Sequence, residues 1–212
     1  MNKRPKVVAI QHHSIDTLIN NKANFNNNKK LIKLFKSRVD VFVVLSEKDK
    51  LEAIDKLNLS KSQVVTIPHM VNMDKGIPKR TFNRRLIMLS RLDNKQKRFD
   101  LVLEAMRYCR DWSLTIYGNG PDKEKILFLI KKYNLNNVYL KSATNNVEDA
   151  LLNSDVHLMS SDYEGFGFTN IEAMRKGLPI IIRDTFPVAS SLIDGNGVLL
   201  KAVWDKNEFL EA

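Results

Sequence analysis

The chain has 212 residues with 34 Lys or Arg, 24 Asp or Glu and one Cys, so its formal net charge at pH 7 is +10. This length suits one large or two small domains, each able to bury a core. The single Cys109 excludes an internal disulfide framework, and one Cys with four His argues against a structural zinc site. No apolar run approaches the roughly 20 residues that span a bilayer, so we expect a cytoplasmic protein.

The basic charge is concentrated in the first half of the chain. Residues 1–100 carry 22 basic and 9 acidic side chains (+13), whereas residues 101–212 carry 12 and 15 (−3). This distribution suits a nucleic acid, anionic lipid headgroups or a polyanionic substrate as partner. It is equally consistent with a solvated surface that favours solubility.

Short apolar strands alternate with helical patterns, which predicts βαβ units and parallel sheets. The front part has predicted strands at 7–10, 41–45 and 64–67, and predicted helices at 28–38 and 47–56. Residues 73–83 lack a clear period and read as an interdomain linker. A second series follows, with strands at 86–89, 113–117, 138–140, 156–159, 179–182 and 198–200, and helices at 98–109, 121–133, 146–152, 168–176 and 186–193.

The most informative segment follows the predicted strand at 156–159. Gly165 and Gly167 lie between Glu164 and Glu172, and Glu172 lies about one turn inside the next helix. Ligands of parallel sheets bind at the carboxyl ends of strands, and a helix N-terminus suits a phosphate. Glycines let a ligand approach the backbone, and the two carboxylates can accept hydrogen bonds from sugar or ribose hydroxyls. A capped helix with one acidic residue explains Gly-x-Gly alone, but two glutamates at this spacing are far less common by chance.

Glu164 and Glu172 resemble the Glu-x7-Glu motif of the retaining GT-B glycosyltransferases of family 4, also called glycosyl transferases group 1. Other segments match this family in the expected order: the strand-loop-helix at 89–100, the Gly-x-Gly-Pro turn at 118–121, the Gly-x-Pro strand at 177–181 and the ending at 194–199. The resemblance is strong over 84–200 and looser over 5–72. It implies an α/β fold of GT-B type with Rossmann-like parallel sheets. Residues 84–212 would be a nearly complete donor-binding domain and residues 1–72 the remnant of an acceptor-side domain.

The resemblance implies that two basic residues neutralise the donor diphosphate without a metal ion. These are Arg91 and Lys97, which would stabilise the leaving nucleoside diphosphate. Five residues separate them here, where the family usually has four, and Lys95, which three residues separate from Arg91, is the alternative cation. Taken alone, the two are a surface pair in a basic loop.

The resemblance also assigns contacts with the rest of the donor. Glu172 would bind the ribose, Glu164 a hydroxyl of the donor sugar, and His12 the sugar or the phosphate. Without the resemblance, the His12-His13 pair after a strand is more often a polar loop. The remaining predicted nucleotide-sugar contacts are Gly118, Gly120, Gly165, Phe166, Gly167, Phe168 and Thr169, with Lys141 at the border of the nucleotide. His157 and Cys109 are read as core residues.

The implied reaction is retaining transfer of a hexose from a nucleotide-sugar to a cell-surface glycan or a polyol-phosphate acceptor of the teichoic-acid type. UDP-glucose or UDP-N-acetylglucosamine is the expected donor, and no cofactor is expected. The Gln11-His12 segment, the Asn-rich stretch after it and the loop at 93–98 resemble the poly(glycerol-phosphate) α-glucosyltransferases, with capsule or other surface-polysaccharide synthesis as the alternative. A peripheral contact with the anionic inner face of the cell membrane is also expected.

Two other functions remain open from the sequence. Nucleotide-sugar 2-epimerases share the GT-B architecture, although the Glu-x7-Glu arrangement favours a transferase. A non-enzymatic module that binds polyanions is the second alternative, but residues 1–100 contain few aromatic side chains, so we expect no nucleic acid partner. Because a GT-B enzyme needs two complete domains, we also expect a truncated copy or a missing N-terminal half supplied by a partner chain.

Overall fold

A computed structural model of the protein describes residues 4–21, 24–68 and 81–212. They form two compact units. The first contains the chain up to residue 70 together with Glu164–Phe166 and Phe186–Val188, and the second contains the other residues from 71 onward. Most of the predicted linker at 73–83, and the end of the predicted remnant at 1–72, lie outside the described residues.

The first unit is a parallel sheet with helices against it. Its strands are β1 (Val8–Ile10), β2 (Val41–Val44) and β3 (Val64–Thr66), in the order β1-β2-β3. Its helices are α1 (Ile15–Asn20), α2 (Lys29–Arg38) and α3 (Glu47–Lys56). Phe42 and Val44 of β2 are buried against Ile15 of α1 and Ala53 of α3. Ser46 caps α3 by accepting a hydrogen bond from the Asp49 N–H at 3.0 Å.

The second unit is built on a six-stranded parallel sheet. Its strands are β4 (Arg85–Leu89), β5 (Ser113–Tyr117), β6 (Val138–Lys141), β7 (Val156–Met159), β8 (Ile180–Arg183) and β9 (Gly197–Leu200). The spatial order is β6-β5-β4-β7-β8-β9. Since β4 pairs with β5 on one side and β7 on the other, the strand order reverses at β4, and a crevice is expected where these strands end.

Short helices and a buried core complete the second unit. The helices are α4 (Asn94–Lys97), α5 (Phe99–Ala105), α6 (Lys123–Lys132), α7 (Val147–Leu152), α8 (Phe168–Arg175) and α9 (Lys206–Glu211). Phe99 and Met106 are fully buried beside Ile116 of β5. His157 is also buried in β7, and Cys109 is half-buried against this core, as predicted.

The sequence predicted the parallel α/β architecture correctly but misplaced several helices. The helix predicted at 98–109 ends at Ala105, because the N–H groups of Arg107 and Tyr108 bond to carbonyls only three residues back. The helix predicted at 186–193 is a single 3-10 turn, Ala189–Leu192. The helices α1, α4 and α9 were not predicted, since four to six residues leave too little periodicity to recognise.

Across the described residues, none of the helices combines the length and the apolar character needed to cross a bilayer.

Candidate functional site

A cavity of about 320 Å³ opens at the carboxyl edge of the sheet in the second unit. Ser90 and Arg91 follow β4 into its wall, and Gly118 and Asn119 follow β5. The other lining residues are Leu89, Tyr117, Ala143, Thr144, Val147, Thr169 and Glu172. The cavity therefore lies at the edge where parallel α/β sheets bind ligands.

Two hydroxyl groups of the cavity lack a protein partner. Ser90 Oγ and Thr169 Oγ1 are buried, and no atom of the described residues forms a hydrogen bond with either of them. Buried polar groups in folded proteins are nearly always hydrogen-bonded. Both residues belong to the cavity wall, so a polar ligand held there is a candidate partner for these hydroxyls.

The N-terminus of α8 also belongs to this site. The helix begins directly after Gly167, whose φ of 75° is in the left-handed region that glycine adopts easily, and no side chain caps the helix. The first N–H groups of a helix have no partner within it and carry the positive end of its dipole. Thr169 in this first turn and Glu172 in the next turn both belong to the cavity wall. Such a helix start suits an anionic group such as a phosphate.

The cavity combines one cation with one carboxylate. Arg91 is exposed, and its guanidinium group is suited to a phosphate. Burial raises the pKa of Glu172 above its ordinary value, while the nearby charge of Arg175 opposes this shift. Such a carboxylate can accept hydrogen bonds from a pair of hydroxyls. A phosphate beside Arg91 and a diol beside Glu172 would match both groups.

Two glycines allow close packing beside the cavity. A Cβ atom on Gly118 would lie 2.0 Å from the Ser90 carbonyl oxygen, and one on Gly120 would lie 2.5 Å from the Leu92 carbonyl oxygen. The Leu92 N–H donates to the Asn119 carbonyl at 2.9 Å, which holds the two loops together. Gly118 thus lines the cavity, and Gly120 shapes the turn behind it.

Several other predicted residues of the second unit do not line the cavity. Lys97 ends α4, where it is half-buried, and its carbonyl accepts a hydrogen bond from Ser160 Oγ at 2.7 Å. The alternative cation, Lys95, is exposed on the same helix. Phe168 is exposed at the start of α8, and the Lys141 carbonyl accepts a hydrogen bond from the Gly118 N–H at 3.1 Å.

The remaining predicted site residues group with the first unit. These are His12, Glu164, Gly165 and Phe166. A Cβ atom on Gly165 would lie 1.9 Å from the His12 carbonyl oxygen, so only glycine fits there. His12 is exposed, whereas Phe166 is buried.

The sequence did not single out Ser90, Tyr117 or Thr144, which also line the cavity. Each lies at or just beyond the carboxyl end of a predicted strand, and this position is the signal that could have identified them. Within the described ranges, no group of three or more His, Cys, Asp or Glu is arranged to hold a metal ion.

The parallel sheets, the reversal of strand order at β4 and the cavity beside it define a Rossmann-like α/β protein, and its solved structural neighbours show the GT-B class. Residues 72–212 match the family described as Glycosyl transferases group 1, and the chain belongs to this family.

Two curated relatives are bacterial enzymes named for polyol-phosphate polymers. Poly(glycerol-phosphate) alpha-glucosyltransferase of Bacillus subtilis is 33% identical over 137 residues, which are 63% of this chain and 20% of that protein. Poly(ribitol-phosphate) alpha-N-acetylglucosaminyltransferase of Staphylococcus aureus is 27% identical over 196 residues, or 90% of this chain and 38% of that protein. The chain therefore spans between a fifth and two fifths of these relatives.

Solved structures show the same fold. A point mutant of S. aureus TarM, solved with Fondaparinux, alpha-GlcNAc-glycerol and UDP, superposes with a TM-score of 0.80 at 24% identity over 97% of this chain and 42% of its own. Anabaena Alr3699/HepE in complex with UDP gives a TM-score of 0.83 at 15% identity, over 97% of this chain and 61% of its own.

Proposed function

We propose that this chain forms the donor-binding part of a retaining hexosyltransferase that uses a UDP-sugar. The acceptor would be a cell-surface glycan or a polyol-phosphate polymer. The observation that carries this proposal is the cavity that combines Arg91, Glu172 and the unpartnered hydroxyls of Ser90 and Thr169. The names of the two curated relatives and the UDP in two solved neighbours support the choice of donor and acceptor.

In the proposed complex, the donor diphosphate lies at the N-terminus of α8 beside Arg91. The ribose hydroxyls donate hydrogen bonds to Glu172, and Ser90 and Thr169 supply further polar contacts. As the bond to the sugar breaks, negative charge grows on the departing diphosphate. A fixed guanidinium group and helix N–H groups stabilise that charge without reorganisation, and Lys97 serves as the second cation.

The sugar is assigned to the residues implied by the family resemblance. Glu164 binds a sugar hydroxyl, His12 binds the sugar or the phosphate, and the backbone from Gly165 to Phe168 lines the donor. The acceptor hydroxyl attacks the anomeric carbon on the face that the diphosphate leaves, and its proton passes to a phosphate oxygen of the leaving group. The protein supplies orientation and charge stabilisation rather than a covalent nucleophile.

Calorimetric titration with UDP, GDP and ADP tests the donor site. We expect UDP to bind, and Glu172→Gln to weaken binding by roughly 10-fold or more, since one charge-assisted hydrogen bond contributes about 1.5–3 kcal/mol. Arg91→Ala should also weaken UDP binding, and the loss of affinity should be larger at low salt than at high salt, because salt screens the charge of Arg91. Glu124→Gln is the matched control because Glu124 is exposed on α6 and outside the cavity. Unchanged UDP affinity in both site variants would show that the assignment is wrong.

Incubation of the protein with a UDP-sugar, with and without a polyol-phosphate acceptor, separates the reaction classes. A glycosylated acceptor and free UDP support the transferase. Free sugar nucleotide epimerised at C2 would instead indicate a 2-epimerase. Salt-dependent binding of arbitrary nucleic acids without UDP binding would indicate a non-enzymatic polyanion-binding module.

A further inference from the structure

A stripe of lysines on α2 lines a groove in the first unit. Lys29, Lys33 and Lys36 recur at spacings of four and three residues, which places them on one side of the helix. The groove has a volume of about 890 Å³, and Lys56 and Asn58 at the end of α3 also line it. The sequence of α2 contains no acidic residue.

The charges of these three lysines are not neutralised locally. In the part of the chain that the structure describes, no carboxylate forms an ion pair with the ammonium group of Lys29, Lys33 or Lys36. Lys56 differs, because its Nζ lies 2.8 Å from Asp16 Oδ1 and 3.0 Å from Glu52 Oε2. The attraction for an anion therefore comes from the α2 side of the groove.

The spacing of the lysines suits a chain of charges rather than one small anion. At a rise of 1.5 Å per residue, Lys29 and Lys33 are about 6 Å apart along the helix axis, and Lys33 and Lys36 about 4.5 Å. Long, flexible side chains at these intervals can follow successive phosphates of an extended polymer. Three separate contacts along one line would hold such a polymer more firmly than a free phosphate ion.

The other lining residues indicate which polymer fits. They are Asn27, Ile32, Ser37 and Leu57, so none of the described lining residues is aromatic. Proteins that bind single-stranded nucleic acids stack the bases on aromatic side chains, and this groove offers no such surface. Its amides and hydroxyl can instead bond to the hydroxyl groups of a polyol.

The apolar residues of α2 argue against a flat membrane surface as the occupant. Leu31 and Leu34 are 43% and 53% exposed, but at 100° per residue they point roughly 130° or more away from the lysine stripe. In a helix lying on a membrane, exposed apolar residues insert while flanking lysines reach the headgroups. On α2 the lysines line a concave groove instead, and a flexible polymer can enter it.

We propose that the groove between α2 and the end of α3 binds a phosphodiester-linked polyol chain through Lys29, Lys33 and Lys36. The proposal that the groove binds such a polymer rests only on the charge and shape of the groove. The identification of that polymer as the acceptor rests on the proposed function. Binding there would raise the local concentration of acceptor units for the transferase.

The test compares two triple variants with the same change in net charge. Lys29→Gln, Lys33→Gln and Lys36→Gln remove the stripe, whereas Lys123→Gln, Lys125→Gln and Lys131→Gln remove three exposed charges from α6. Gln is a good helix former, so both helices should persist, and circular dichroism with thermal melting verifies this. The probe is a fluorescent oligo(glycerol phosphate), titrated at several salt concentrations.

We expect the α2 variant to bind the oligomer roughly 10- to 100-fold more weakly than the parent protein, with the control unchanged. Three lost phosphate contacts should also reduce the slope of log affinity against log salt by about two. Equal weakening in both variants would overturn the proposal, because net charge alone would then explain binding. Tighter binding to phosphatidylglycerol vesicles than to the oligomer would also overturn it, in favour of a membrane surface.

Titration with UDP keeps this proposal separate from the donor site. The α2 variant should retain the parent protein's affinity for UDP. If the parent protein binds the oligomer through α2 but does not bind UDP, the proposed function is wrong, whereas the proposed polymer site on α2 is supported. If the parent protein binds UDP while the α2 variant keeps full affinity for the oligomer, the proposed polymer site is wrong, whereas the proposed donor site is supported.

Discussion

Arg98 donates a hydrogen bond from Nη1 to Asp162 Oδ2 at 2.9 Å, and this pair joins the loop after Lys97 to the segment before Glu164. Arg98 adopts a left-handed φ of 53° between α4 and α5. Arg183 binds the other oxygen, Asp162 Oδ1, at 2.5 Å. Burial opposes ionisation of Asp162, but the two guanidinium groups hold its pKa below the ordinary value. The carboxylate is therefore charged at neutral pH and fixes two loops.

Asp162→Asn should lower the free energy of unfolding by about 2 kcal/mol, because both arginines lose a charged acceptor and the site is only partly screened by solvent. It should also weaken binding of a UDP-sugar, since the loop with Lys97 loses an anchor. Denaturation in urea and calorimetry measure the two effects. Asp184→Asn is the control, because Asp184 is exposed. Equal losses in both variants would mean that the two arginine contacts contribute nothing specific.

Binding of a UDP-sugar should weaken as the pH is lowered from 7 toward 5. In the proposed complex the ribose hydroxyls donate to the ionised form of Glu172, and burial raises the pKa of this carboxyl above its ordinary 4.5. Protonation therefore begins at a higher pH than for an exposed glutamate. A UDP-sugar suits this measurement because its diphosphate, esterified at both ends, does not titrate in this range. In Glu172→Gln the affinity should be lower and nearly independent of pH, and an unchanged pH profile would exclude this role.

Gly118→Ala should destabilise the second unit by several kcal/mol and abolish UDP binding. The added Cβ would lie 2.0 Å from the Ser90 carbonyl oxygen, and a backbone atom cannot move away without displacing β4. Gly195→Ala provides the control: its φ is +70°, but no atom lies within 4 Å of the added Cβ. There the cost should be only about 1 kcal/mol of backbone strain. Thermal melting of both variants provides the comparison, and similar melting temperatures would contradict the close packing of the two loops.

The unfolding free energy should fall as the pH is lowered from 6.5 to 4, partly because of His157. Burial lowers the pKa of His157 to about 4, with the charge of Lys97 adding to this shift and Asn170 opposing it. In this pH range His157 is protonated in the unfolded chain but stays neutral in the folded chain. This difference lowers the free energy of unfolding by up to roughly 3 kcal/mol. His157→Leu should flatten the slope in urea titrations across this range. His13→Gln should not, because His13 is exposed, and an identical slope in all three proteins would show that His157 does not titrate as described.

The strands were predictable because they are short, continuous apolar runs, and those in the middle of the second sheet are also buried. Ile180–Arg183 and Val156–Met159 are examples, and the predicted strands at these places differ from them by at most one residue. The short helices were not predictable in the same way. Arg98 illustrates the reason, because the left-handed turn that separates α4 from α5 is stabilised by Asp162, which is distant in sequence.

The α/β class, the family resemblance and the residue types of the proposed donor site follow from the sequence, since they depend on local hydrophobic pattern and on motif spacing. Which of these residues share one cavity depends on the tertiary structure. Arg91, Gly118, Thr169 and Glu172 come together because the carboxyl ends of β4 and β5 and the start of α8 meet at one edge of the sheet. The structure alone also revealed the unpartnered hydroxyls of the cavity and the lysine-lined groove beside α2, because burial and concavity arise from packing between segments that are far apart in the chain.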